Sequence, residues 1–146
     1  MKRSIALVLL IVMLMLCSVG CRGPKKLPEK LVELEKYSSM TIDGTTSIDV
    51  VYDYTEGEFA TYEFVITNQG VIDEIMAEVF SMGLKEYPEN QDMNFYQRWL
   101  TIMQGDKEFY VSLAYTTDEN GNRYLCQSEN VCEIIEKCIR DSYIEQ

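Results

Sequence analysis

The sequence predicts an α+β domain: a single antiparallel sheet, built as hairpin, helix, three-strand meander and helix, with the helices packed mainly on one face. Three observations predict it. Apolar and polar residues alternate with period two in four stretches, the mark of half-buried strands. Two other stretches repeat apolar residues at spacings of three and four, the mark of an amphipathic helix. Turn-forming glycine pairs separate the strands, and ten tyrosines and five phenylalanines supply the aromatic surface that a pleated sheet packs well.

The elements follow in order. Leu27–Tyr37 ("LPEKLVELEKY") reads as a short helix, with Pro28 in its first turn and Leu31 and Leu34 on one face. At about ten residues it needs packing to persist. Asp43-Gly44 marks a turn. Ser47–Tyr54 places Ile48, Val50 and Tyr52 on one face, and Ala60–Thr67 does so with Tyr62, Phe64 and Ile66; "TEGE" between them closes a hairpin. Thr67 or Asn68 caps a helix over Gly70–Met82, striped by Ile72, Ile75, Met76 and Val79, and Gly83 is read as its stop. Tyr87–Met93 is loop. Phe95–Gln104 and Lys107–Thr116 flank Gly105-Asp106, a two-residue turn with glycine first, as type II′ requires. Asn120-Gly121 leads to a third strand, Asn122–Gln127. Ser128 then caps a helix from Glu129 to Asp141, striped by Val131, Ile134, Ile135, Cys138 and Ile139.

The N-terminus has a different character. Lys2 and Arg3 precede a run of 17 uncharged residues, Ser4 to Gly20, with Ile5–Leu16 unbroken apolar and small residues before Cys21. This is a secretory signal layout. Ser18-Val19-Gly20-Cys21 resembles the lipobox of bacterial lipoproteins. The resemblance implies that the Cys21 thiol carries a diacylglyceryl group, that cleavage falls after Gly20, and that the domain sits outside the cytoplasm, lipid-anchored to the cell membrane. The competing readings are an uncleaved span, which needs about 20 apolar residues, and free secretion. The expected organisation is therefore a signal peptide over 1–20, a lipidated Cys21 with basic tether and short helix over 21–46, and an α+β domain over 47–146. Arg22, Lys25 and Lys26 stand beside the acyl chains, where each gains about 1 kcal/mol at an anionic lipid surface.

Charge and composition exclude whole classes of function. The net charge of −11 becomes −13 when residues 1–20, with Lys2 and Arg3, are removed. So acidic a chain repels phosphate backbones, and nucleic acid is not an expected partner. Histidine is absent, which removes the commonest general base and metal ligand. No metal site and no cofactor are expected. Asp118, Asn120, Asn122 and Glu129 fall at calcium-loop positions, but Arg123 stands where the loop needs glycine, so a hairpin turn explains them better. Cys126, Cys132 and Cys138 are odd in number, so at least one thiol is unpaired in a monomer. Pairing of Cys126 with Cys132 or Cys138 stays open, whereas Cys132 and Cys138 lie too far round one helix to bridge. The carboxylate pairs Glu74/Glu78 and Glu133/Glu136 lie on the polar faces of predicted helices, as solvated surface.

The second face of the sheet is the candidate site. If Gln104 pairs with Lys107, then Leu100, Ile102, Phe109, Val111, Leu113 and Tyr115 face the core with Tyr96, and Arg98 intrudes among them. The opposite face carries Trp99, Thr101, Met103, Tyr110, Ser112 and Ala114. It is too apolar for simple solvation and holds the only tryptophan. Trp99, Met103, Tyr110 and Ser112 are the candidate binding residues, unless the N-terminal helix or a loop covers them. The expected function is a non-catalytic binding or adaptor module with an envelope protein as partner. The alternatives are a small-ligand or sensor accessory and, behind it, a carboxylate-based hydrolase.

Overall fold

The computed structural model describes residues 26–55, 59–88 and 96–144. The expected signal peptide, Cys21, Arg22 and Lys25 lie outside the described residues, as do 56–58 of the first expected turn and 89–93 of the expected loop. In chain order the described elements are β1 (Ser47–Tyr54), β2 (Ala60–Ile66), α1 (Gln69–Ser81), β3 (Gly83–Glu86), β4 (Arg98–Gln104), β5 (Lys107–Ser112), β6 (Tyr115–Thr117), β7 (Arg123–Gln127) and α2 (Glu129–Ile139). A short π-helical turn, Arg140–Ile144, follows α2.

Alternation builds the first sheet as expected. Ile48, Val50 and Tyr52 of β1 are buried and pair with Ile66, Phe64 and Tyr62 of β2. The antiparallel order is β2-β1-β4-β5. Gln104 does face Lys107. Gly105 has φ +60° and no non-glycine residue described has positive φ, which makes the turn type II′. The register therefore holds, and Leu100, Ile102, Phe109 and Val111 enter the core.

The helices behave as amphipathic stripes. Asn68 caps α1, its side chain accepting from the Val71 N–H at 3.2 Å. Ile72, Ile75, Met76 and Val79 are all buried, as the spacing predicts. In α2, Val131, Ile135 and Ile139 are buried, while Ile134 and Cys138 are half-buried. Tyr52, fully buried, donates its hydroxyl to Glu136 Oε1 at 2.5 Å, which ties α2 to the inner face of the first sheet. Glu136 is thus a partner of the core rather than plain solvated surface. Burial, then that hydrogen bond, pushes the Tyr52 pKa far up, so the phenol stays a donor.

Three expectations are corrected. Leu27–Tyr37 is not an α-helix but two 3-10 turns, Leu31–Glu33 and Glu35–Tyr37, broken at an extended Leu34. Leu31, Leu34, Tyr37 and Met40, each three residues apart, are all buried, a period that suits 3-10 geometry. Gly83 does not stop α1 in a left-handed conformation. It opens β3, a strand the sequence reading omits, and forms a bridge with Lys30 while the Leu84 N–H donates to Glu29 O at 2.8 Å. Most consequentially, the sheet is not single. β3, β7 and β6 form a second antiparallel sheet in the order β3-β7-β6.

A bend at Leu113-Ala114 makes the division. Leu113 N–H still donates to Arg98 O at 2.9 Å, continuing the first sheet, while Ala114 O accepts from Cys126 N–H at 3.0 Å in the second. Lys107–Thr116, expected as one strand, is therefore β5 and β6. The bend takes the Leu113 carbonyl out of any ladder. The buried Ser128 hydroxyl donates to it at 2.5 Å. Ser128 does stand at the N-cap of α2, but its side chain makes no cap bond.

Ser128→Ala should destabilise the domain by about 1–3 kcal/mol, the cost of a buried unsatisfied carbonyl. Ser128→Asp should cost at least as much, although aspartate is a good helix cap, because a carboxylate cannot donate. Urea unfolding of both variants checks this, and a stable Asp variant would show that capping is the true role.

Candidate functional site

Both helices pack on the inner side of the first sheet, and its outer face is open. Register places Val65, Asp49, Thr101 and Tyr110 in one row across it and Glu63, Val51, Trp99 and Ser112 in the next. Val65 is 58% exposed and Tyr110 56%, while Trp99 and Val51 are half-buried. Asp49 sits within this face, and Glu63 and Glu108 stand on its two edge strands.

At the β6 end this face deepens into a cleft of about 360 Å³. β4 brings Trp99 to it, β5 brings Tyr110 and Ser112, the second 3-10 turn brings Lys36 and Tyr37, and β6 brings Tyr115, Thr116 and Thr117. The Trp99 and Tyr110 rings lie 6.0 Å apart at 35°. Tyr37 donates its hydroxyl to Tyr110 O at 2.8 Å, which docks the N-terminal segment on the free edge of β5. Burial pushes the Tyr37 phenol up to about 12, so it stays a donor at neutral pH. Lys36 Nζ donates to Thr116 Oγ1 at 2.6 Å and lies 5.2 Å from the Tyr37 ring centre. Burial against these groups lowers the Lys36 pKa from its ordinary value.

The start of β4 is held by Asp53. Its buried carboxylate accepts from Gln97 N–H at 2.6 Å and from the Thr61 hydroxyl at 2.7 Å, while its own N–H donates to Gln97 O at 2.8 Å. Arg98, the intruder on the core side, stacks its guanidinium 4.5 Å from the Tyr52 ring centre and 5.3 Å from that of Tyr96, and its Nε–H donates to Asp53 O at 3.1 Å. This fixes the strand from which Trp99 projects.

The structure thus gathers Trp99, Tyr110 and Ser112 at one place. Met103 shares their face but lies outside the cleft; it is half-buried and its carbonyl accepts from Thr46 N–H at 2.9 Å. Cys21 lies outside the described residues. Tyr115, expected in the core, lines the cleft because the Leu113-Ala114 bend breaks the parity of the strand. Sequence reasoning missed Lys36, Tyr37 and Thr116. Only the three-residue spacing of Leu31, Leu34 and Tyr37 hinted that Lys36 follows a packed segment.

Cys126, Cys132 and Cys138 are free thiols, so neither open disulfide pairing is realised. Burial pushes Cys126 up to about 12 against the opposing pull of Lys36, and burial also raises Cys138. Among the described residues no group of three or more His, Cys, Asp or Glu is placed to hold a metal ion. The Asp118–Asn122 stretch is a turn knit by one carboxylate: Asp118 accepts from the Asn120 and Asn122 N–H groups at 2.8 and 2.9 Å, from the Asn122 side chain at 2.8 Å and from Tyr124 Oη at 3.2 Å. Of the helix carboxylates, Glu78 accepts from the Asn130 side chain at 2.8 Å and so links α1 to α2. The chain matches no family model, no curated protein and no solved structure.

Desolvation pushes the Asp118 carboxyl up, but the hydrogen bonds from Asn122, Asn120 and Tyr124 outweigh it and hold the group down at about 2. A carboxyl with a depressed folded pKa stabilises above its unfolded value and loses that contribution as pH falls through the folded one. The β6–β7 turn should therefore loosen between about pH 4 and 2. Amide exchange at Asn120 and Asn122 should quicken over that window in the wild type, and Asp118→Ala should abolish the pH dependence. Unchanged protection down to pH 2 would refute the assignment.

Proposed function

We propose that the chain is a lipid-anchored binding module that works outside the membrane and engages its partner through the outer face of the first sheet. The observation that carries the reading is an aromatic sheet face left uncovered beside a formed cleft. Exposed Tyr110 with half-buried Trp99 is the composition of a contact patch. The anchor rests on the Ser18-Val19-Gly20-Cys21 resemblance and the uncharged run before it. Among the described residues no helix is long and apolar enough to cross a membrane. An envelope protein is the partner expected of an open face. The cleft favours a second reading, capture of a small ligand, and both use Trp99.

Cys21→Ser should release the protein from the membrane fraction or leave a larger, unprocessed precursor. Fractionation and migration like the wild type would sink the anchor. Trp99→Ala should sharply reduce the yield of partner crosslinked in living cells while leaving the unfolding midpoint nearly unchanged. A large loss of stability would place Trp99 in the core instead.

A further inference from the structure

The charge of the cleft is at odds with the charge of the protein. Residues 26–146 carry nine Lys and Arg against twenty-four Asp and Glu. Yet the residues lining the cleft include Lys36 and Arg98 and neither an aspartate nor a glutamate. Arg98 spends its guanidinium on Tyr52 and Tyr96. Lys36 does not: its hydrogen bond is to the neutral Thr116 hydroxyl. Glu35, Asp118 and Glu119 share with Lys36 a neighbouring hollow, whereas within the cleft itself the ammonium is the group that attracts an anion.

The remaining walls narrow the chemistry. Trp99 and Tyr110 present tilted aromatic faces at the mouth of the cleft, which suit a flat apolar ring surface. Ser112, Thr116 and Thr117 line it with hydroxyls, which suit a ligand carrying several hydroxyls of its own. A volume of about 360 Å³ is at the small end of ligand pockets and admits one or two rings. Resting on the proposed binding role of this face, we infer that the cleft receives an acidic sugar: a saccharide ring bearing a carboxylate, its ring laid on Trp99 and Tyr110 and its anion at Lys36.

Trp99 is the only tryptophan, so its fluorescence reports on this site alone. The full chain, purified in a detergent without a sugar head group, is titrated with glucuronate, glucose and benzoate. Glucuronate should saturate the signal, with glucose at least about tenfold weaker, equivalent to about 1.4 kcal/mol. Lys36→Gln keeps a polar side chain at an exposed position and should abolish that preference, bringing glucuronate to the level of glucose. Equal binding of the two sugars, or no saturable response to either, overturns the inference. Tighter binding of benzoate than of glucuronate overturns it too, because the site would then take an aromatic acid. Crosslinking in cells separates this inference from the broader one. A partner lost with Trp99→Ala but kept with Lys36→Gln leaves the binding role standing without the sugar.

Discussion

One hydrogen bond, from the Ser128 hydroxyl to the Leu113 carbonyl, holds the two sheets in their relation. A strand that leaves its ladder strands a carbonyl, and a buried carbonyl without a donor costs about as much as a whole interaction is worth. Ser128 supplies the donor from fifteen residues away. In doing so it also fixes where α2 begins, since the Cys132 N–H donates to Ser128 O at 2.9 Å to open the helix. From that start α2 places Glu136 under Tyr52. The bend itself swings β6 out of the first sheet, and so carries Thr116 and Tyr115 to the wall of the cleft. Fold, helix placement and candidate site therefore share a single joint.

What was legible in the sequence is what local periodicity encodes. β1, β2, the β4–β5 hairpin and the stripe of α1 are each fixed by residues two, three or four apart, and the Gly105-Asp106 turn fixed which face Trp99 occupies. β3 was not legible because its four residues, Gly83–Glu86, show no alternation. The strand exists through its partners Lys30 and β7, which are far off in sequence. The division into two sheets was hidden for the same reason: nothing local to Leu113 announces that a serine beyond the next two strands will satisfy its carbonyl. The 3-10 turns were misread as helix although Leu31, Leu34, Tyr37 and Met40 keep a strict period of three, which an α-helix would carry around its surface.

The site divides along the same line. Trp99, Tyr110 and Ser112 follow from strand parity alone. Lys36, Tyr37 and Thr116 arrive from two other segments, and only the tertiary fold brings them in. The acidic residues show the complement of this. Asp53, Asp118 and Glu136 are spent on backbone groups and hydroxyls within the fold, whereas Asp49, Glu63 and Glu108 stand on the open face, Asp49 in its interior and the other two on its edge strands. Charges set among and beside apolar side chains discourage self-association. The cleft beside that face has no carboxylate among its lining residues.

The tether then bears on the site directly. The same segment that leads back toward Cys21 supplies Lys36 and Tyr37 to the cleft, and it is pinned further upstream where Leu84 N–H donates to Glu29 O. If Cys21 carries the lipid, seven residues separate the anchor from that pinned point, a span of at most about 28 Å even when fully extended. The domain is then held close to the bilayer, not on a long leash. The docking of Tyr37 on the edge of β5 and the bridge of Lys30 to Gly83 make the segment from Glu29 onward part of the fold, so the place of Lys36 in the cleft is set by the domain itself.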